Sequence, residues 1–307
     1  MRTRILVGTI MAGLAACMLI ADLYLDPAYP FLLLVILLLA LAACIELHRL
    51  MGALPHRPPF WRCAAGVFAV LLANWPVHLL DYLLKYNWPG HDALHDLGLE
   101  PWRIVTFTFA AVVMAAFVVE MRNYRDSAGV VQRVALTVWF VAYLGLLPSF
   151  LVQLRWPPPQ YGALTMAIFV PKLGDVAAYF TGRLLGRNRM TPAISPKKTW
   201  EGFVGGMIGA VAAAVVFNHF YLKEALNGRF ADVFRPETVL HGGELAGIGF
   251  GLTVGLAGVL GDLAESMIKR DCRRKDAADT VPGFGGVLDV IDSILFAAPV
   301  AYLWLRW

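Results

Sequence analysis

The segment Gly261-Asp262-Leu263-Ala264-Glu265-Ser266-Met267-Ile268-Lys269-Arg270 sets Asp262, Glu265, Ser266 and Lys269 at i, i+3, i+4 and i+7. On a helix these four side chains share one face. Arg273, Arg274, Lys275 and Asp276 follow, then the turn Pro282-Gly283-Phe284-Gly285-Gly286, then Asp289 and Asp292, again three apart. Carboxylates on two helix ends, joined by a glycine-rich turn, are hard oxygen donors. They suit Mg²⁺, which keeps several waters and shares its shell with substrate phosphates. Neighbouring lysines and arginines suit polyphosphate oxygens. No histidine accompanies the carboxylates, which argues against zinc. The bland alternative is that these charges only pair with one another and cap helices.

Two further constellations lie upstream. Ser195-Pro196-Lys197-Lys198-Thr199-Trp200-Glu201-Gly202 reads as the start of a helix. Serine caps such a start and proline is welcome in the first turn. Lysines there, with backbone N–H groups and the helix dipole, make an anion site. A juxtamembrane basic patch on anionic headgroups is the rival reading. Lys172, Asp175, Tyr179 and Arg183 are spaced three, four and four and share a helical face. Lys172 and Asp175 could simply neutralise each other, but Arg183, Arg187 and Arg189 extend the stripe towards a basic loop.

The elements that must carry these groups are membrane helices. The chain has 307 residues, 59% hydrophobic and 16% charged. A soluble domain averages about 45–50% apolar and about 25% charged. A spanning helix needs about 20 mostly apolar residues. Nine segments approach that: 4–23, 29–46, 61–84, 102–120, 131–154, 162–182, 203–222, 244–266 and 287–305. The expected fold is all-α and polytopic. Residues 1–160 form an N-terminal scaffold of about five helices, and residues 161–307 a working region of about four helices with cytoplasmic loops. Of the 26 Lys and Arg residues, 18 fall on the side that holds the N-terminus and seven on the other. That bias makes the N-terminus cytoplasmic, although the two richest loops could owe their charge to a phosphate substrate. Leu14-Ala15-Ala16-Cys17 resembles a lipoprotein cleavage box, but the apolar run continues past it, so an uncleaved first span is expected.

Cys17, Cys44, Cys63 and Cys272 lie far apart and form neither a zinc site nor a disulfide framework. No nucleic-acid module is recognisable. His91, Asp92, His95 and Asp96 could bind a metal, but they sit in a loop on the predicted external face and read as solvated.

The first constellation matches a signature that reads Ser-x-apolar-Lys-Arg, four residues, Lys-Asp, a Pro-Gly-x-Gly-Gly turn, an apolar pair and two aspartates three apart. Here this is Ser266-Met267-Ile268-Lys269-Arg270, Lys275-Asp276, Pro282 to Gly286, Val287-Leu288-Asp289 and Asp292. With Ser195 to Gly202 and Asp175-x-x-Ala178-Tyr179-Phe180-x-Gly182-Arg183, the chain resembles the phosphatidate cytidylyltransferase family. Two positions depart from it: Phe284 stands where His is common, and Val290 where Arg is common. Phe284 cannot accept a proton and Val290 cannot hold a phosphate. The metal ligands and lysines remain, so neither departure is expected to be decisive.

The resemblance implies that CTP and phosphatidate give CDP-diacylglycerol and pyrophosphate. It implies catalytic roles for Lys197, Lys198, Lys269, Asp262 and Asp289. It implies phosphate contacts from Arg183, Ser195, Lys197, Lys198, Lys269, Arg270 and Lys275. Asp262, Asp289, Asp292, Glu265 and Asp175 would ligate Mg²⁺, with a monovalent cation such as K⁺ beside it. A homodimer is the family expectation, and short loops lean towards a bacterial inner membrane with the site on the cytoplasmic face. The rival enzyme is a CTP-dependent prenol or dolichol kinase, which would want a base near the accepting hydroxyl. Buried charge could also line a transport path, but the charges gather at one membrane face and no repeat halves appear.

Overall fold

The computed structural model describes residues 13, 17–18, 21–22, 25, 28–87, 100–124, 129–156, 161–227, 240, 243–274, 277–278 and 285–306. Among them are eight helices long and apolar enough to cross a membrane. They match eight of the nine expected spans. Span 4–23 lies largely outside the described residues, as does the loop holding His91, Asp92, His95 and Asp96. The chain is an integral membrane protein of helical architecture.

It divides into two compact units. One holds Met1–Ser149 and Asp276–Leu288, the other Phe150–Lys275 and Asp289–Trp307.

The first unit runs α1 (Pro30–Leu50), a 3₁₀ turn (Met51–Ala53), α2 (Phe60–Leu72), α3 (Pro76–Asn87), α4 (Pro101–Arg122), α5 (Val130–Val141), a π turn (Ala142–Leu146) and the start of α6 (Leu147–Gln153). Helices α2 and α3 form one span broken at Pro76. Proline has no N–H to give the preceding turn. The Leu72 carbonyl accepts instead from the Trp75 N–H at 3.2 Å, and Asn74 braces the end of the helix before the break, its Nδ2 donating to the carbonyls of Val70 at 3.1 Å and Leu71 at 2.9 Å, and to Ser149 Oγ at 2.9 Å. In lipid an unmet backbone group is costly, so a break needs such repair. Glu120 is held by Arg62 and Arg133, each at 2.7 Å. Paired charge of this kind is what an apolar scaffold tolerates.

The second unit carries α7 (Tyr161–Leu185), a hairpin of β1 (Arg189–Thr191) and β2 (Ser195–Thr199), then α8 (Trp200–Asn227), α9 (Gly243–Asp271) and α10 (Val287–Arg306) from Asp289 onward. Its core joins Ala163, Ala167 and Val170 of α7 to Ala210 and Ala214 of α8, Phe250 and Val254 of α9, and Ala297 and Ala301 of α10. Small residues let membrane helices approach closely where lipid gives no hydrophobic drive. Helix α9 has 29 residues, about 44 Å at 1.5 Å per residue. The hydrocarbon core is about 30 Å thick, so the polar end of α9 reaches the interface.

The hairpin corrects one expectation. Ser195 and Pro196 do not start a helix; they lie in β2, which pairs antiparallel with β1 through Arg189–Thr199 and Thr191–Ser195. The helix begins at Trp200, and Thr199 caps it: Thr199 Oγ1 accepts from the Gly202 N–H at 3.1 Å. The reason lies in pairing: Ser195 and Thr199 are held extended opposite Thr191 and Arg189, so the helix can begin only after the ladder ends.

Candidate functional site

Three helices of the second unit supply the acidic groups. Helix α7 carries Lys172 and Asp175, α9 carries Asp262, Glu265, Ser266 and Lys269, and α10 carries Asp289, Asp292 and Ser293. Gly261 sets the distance between the last two helices: a Cβ there would collide with the backbone carbonyl of Asp292 and crowd Phe296. The face predicted from spacing on α9 is present, with Ser266 Oγ donating to Asp262 Oδ1 at 3.4 Å and Lys269 paired with Glu265 one turn back.

The charges form two linked groups. Lys269 Nζ sits between Glu265 and Asp289 Oδ1, joining α9 to α10. Glu265 is fully buried and Lys269 nearly so. Lys172 Nζ lies 3.1 Å from Asp175 Oδ2 and 3.5 Å from Asp292 Oδ1, joining α7 to α10. Ser293, also buried, donates its hydroxyl to Asp175 Oδ2 at 2.8 Å, and its N–H to Asp292 Oδ1 at 2.6 Å. Burying a charge is tolerable only when it is paired and hydrogen-bonded, and every carboxylate here meets a lysine.

The hairpin brings a third lysine. Lys198 Nζ of β2 pairs with Asp262 Oδ2 at 2.8 Å. Arg270 braces the hairpin, its Nε donating to the Ile194 carbonyl at 3.1 Å. Glu201 ties the helix start to the chain entering β1, accepting from the N–H groups of Arg187 at 3.1 Å and Asn188 at 3.2 Å. Lys197 is exposed on β2 and makes no ion pair among the described residues. Arg183 donates to the Tyr179 hydroxyl at 3.1 Å, on the face predicted for α7.

Asp175, Glu265, Asp289 and Asp292 are thus drawn into the lysine-linked groups, and Lys198 meets Asp262. Ser195 lies on the same strand as Lys198. Lys275 and Phe284 lie outside the described residues. Among the described residues no three carboxylates converge alone on one point as metal ligands; lysine ammonium groups stand between them. One participant, Ser293, escaped sequence reasoning. Ser293 adjoins Asp292 in sequence, and i, i+1 neighbours do not share a helix face. Lys172 was legible by spacing, but its reach to Asp292, 120 residues away, was not.

Residues 2–307 match the profile of the cytidylyltransferase family. A phosphatidate cytidylyltransferase of Chlamydia pneumoniae is 30% identical over 72% of this chain and 68% of its own length. One of Haemophilus influenzae is 41% identical over 41% of this chain and 39% of its own. A chloroplastic phosphatidate cytidylyltransferase of Arabidopsis thaliana is 31% identical over 66% of this chain and 51% of its own. Except for the chlamydial protein, the chain aligns with about half or less of these relatives.

Proposed function

The chain belongs to the cytidylyltransferase family, and from that premise we propose that it joins CTP to phosphatidate, giving CDP-diacylglycerol and pyrophosphate. One observation carries this reading beyond the family. Lysines from a hairpin and from α9 meet carboxylates of α9 and α10 at the polar end of membrane helices. That arrangement suits a reaction between a water-borne triphosphate and a lipid phosphate.

The lipid phosphate is already a nucleophile, so no strong base is needed. One of its oxygens attacks the α-phosphorus of CTP. A new P–O–P bond forms, the bond from the α-phosphorus to the bridging oxygen breaks, and pyrophosphate leaves. Such transfers depend on positioning and charge neutralisation, extended here by analogy to nucleotidyl transfer. Lys197, exposed on β2, receives the triphosphate from water. Lys198 and Lys269 exchange part of their carboxylate contact for phosphate oxygens and carry the charge of the departing pyrophosphate. Lys172 and Ser293 hold Asp175 and Asp292 in place.

The chemistry of the donors, rather than their present convergence, supports a divalent cation bound once the lysine contacts give way. Asp175, Asp262, Glu265, Asp289 and Asp292 are hard oxygen ligands, and four of them already turn oxygens towards shared positive charges. When bound, Mg²⁺ supplies charge neutralisation at the triphosphate. The side facing the reaction is cytoplasmic and the membrane a bacterial inner membrane, a reading supported by the charge bias and by bacterial relatives.

Pyrophosphate release from purified protein tests the reading. Release that requires CTP, phosphatidate and Mg²⁺ together supports it. Release of CDP with a phosphorylated alcohol, and no pyrophosphate, overturns it in favour of a lipid kinase.

A further inference from the structure

Glu46 is a carboxylate in the middle of apolar sequence, on α1, and it is buried to 1% exposure. Its two oxygens reach the start of α10, 241 residues on. Oε1 accepts from the Val287 N–H at 2.9 Å and Oε2 from the Leu288 N–H at 2.8 Å. These donors have no partner within their own helix, because the first N–H groups of a helix never do. The positive end of the helix dipole favours a carboxylate at that place. Gly286 is shaped to admit it: a Cβ at 286 would collide with Glu46 Oε2 and crowd Oε1. So the last glycine of the Pro-Gly-Phe-Gly-Gly turn serves close approach of a side chain from another helix. Glu46, Gly286, Val287 and Leu288 all belong to the first unit, and Asp289 is the next residue of the same helix.

On the functional reading above, we infer that Glu46 is a positioning residue for the reaction: by capping α10 it fixes the register from which Asp289 reaches Lys269. It touches no reacting atom. A carboxylate that only stabilised the scaffold would leave turnover per folded molecule alone. Displacing a reacting group by about 1 Å can cost on the order of 100-fold in rate.

The test uses the full chain in detergent, with Glu46→Ala, Glu46→Gln, Gly286→Ala and the Glu46→Ala/Gly286→Ala pair. Glu46→Ala is expected to lower kcat about 10- to 100-fold per folded molecule, with KM for CTP within about threefold of wild type. Glu46→Gln keeps an acceptor oxygen and should fall between. Gly286→Ala should cost kcat in the wild-type background and add little in Glu46→Ala, because the two residues are coupled. Hydrogen exchange at the Val287 and Leu288 amides should quicken in Glu46→Ala while the α10 interior stays protected. Unchanged exchange, wild-type kcat, a loss confined to KM, or additive substitutions would overturn the inference. A wild-type protein that makes no CDP-lipid counts against the functional reading instead, and the exchange comparison then decides the cap on its own.

Discussion

Lys269 stands between Glu265 and Asp289, so removing its ammonium leaves two carboxylates facing each other in a buried place. Breaking a buried pair by deleting one partner costs about 3–5 kcal/mol. Lys269→Met is therefore predicted to lower thermal stability markedly as well as turnover, and Lys269→Met/Glu265→Gln to regain folding without regaining activity. Thermal unfolding in detergent beside turnover separates the two effects. Lys198 differs, because it sits on a partly exposed hairpin. A hydrogen bond to a charged group contributes about 1.5–3 kcal/mol. Lys198→Ala should lower kcat/KM for CTP about 10- to 100-fold with little change in unfolding temperature. Much at this scale was legible: the faces of α7 and α9 follow from spacings of three and four. Ser293 and Glu46 were not, because each acts across more than a hundred residues of sequence and no local pattern encodes that approach.

Between elements, the fit of α9 against α10 depends on Gly261, where any side chain meets the Asp292 backbone. Overpacking a close contact costs about 1–3 kcal/mol. Gly261→Ala is predicted to cut turnover while the helical circular dichroism stays that of wild type; wild-type turnover would show that the helices can part without consequence. The hairpin is the element that sequence reading misplaced. Ser195 and Pro196 carry helix-start chemistry, yet Ser195 pairs with Thr191 in the hairpin, and Thr199 was available to cap a later start. Helices with twenty apolar residues announce themselves by length. A hairpin of three- and five-residue strands is set by pairing of β1 with β2, which periodicity over so short a run does not reveal.

Across the whole chain, eight spans were readable because the bilayer demands a long apolar helix at each crossing. The exchange of Asp276–Leu288 into the first unit was not, since it rests on tertiary contact rather than composition. Orientation gives a further prediction. Cys44, Cys63 and Cys272 are buried, and burial holds the Cys272 thiol above its ordinary pKa, so these react poorly. In a Cys17→Ser background, Ala193→Cys on the hairpin turn should take an impermeant maleimide in inside-out vesicles. Labelling in right-side-out vesicles instead would reverse the assignment of the cytoplasmic face. On the proposed function, the molecule moves the cytidylyl group to a lipid phosphate through a site containing Asp289. The most direct test of this supplies CTP labelled at the α-phosphorus, with phosphatidate and Mg²⁺, to wild-type protein and Asp289→Asn. Label should enter the lipid fraction with wild type and be reduced by about 100- to 1,000-fold in the variant. Wild-type protein that leaves the lipid unlabelled, or a variant that labels it as fast, would contradict that function.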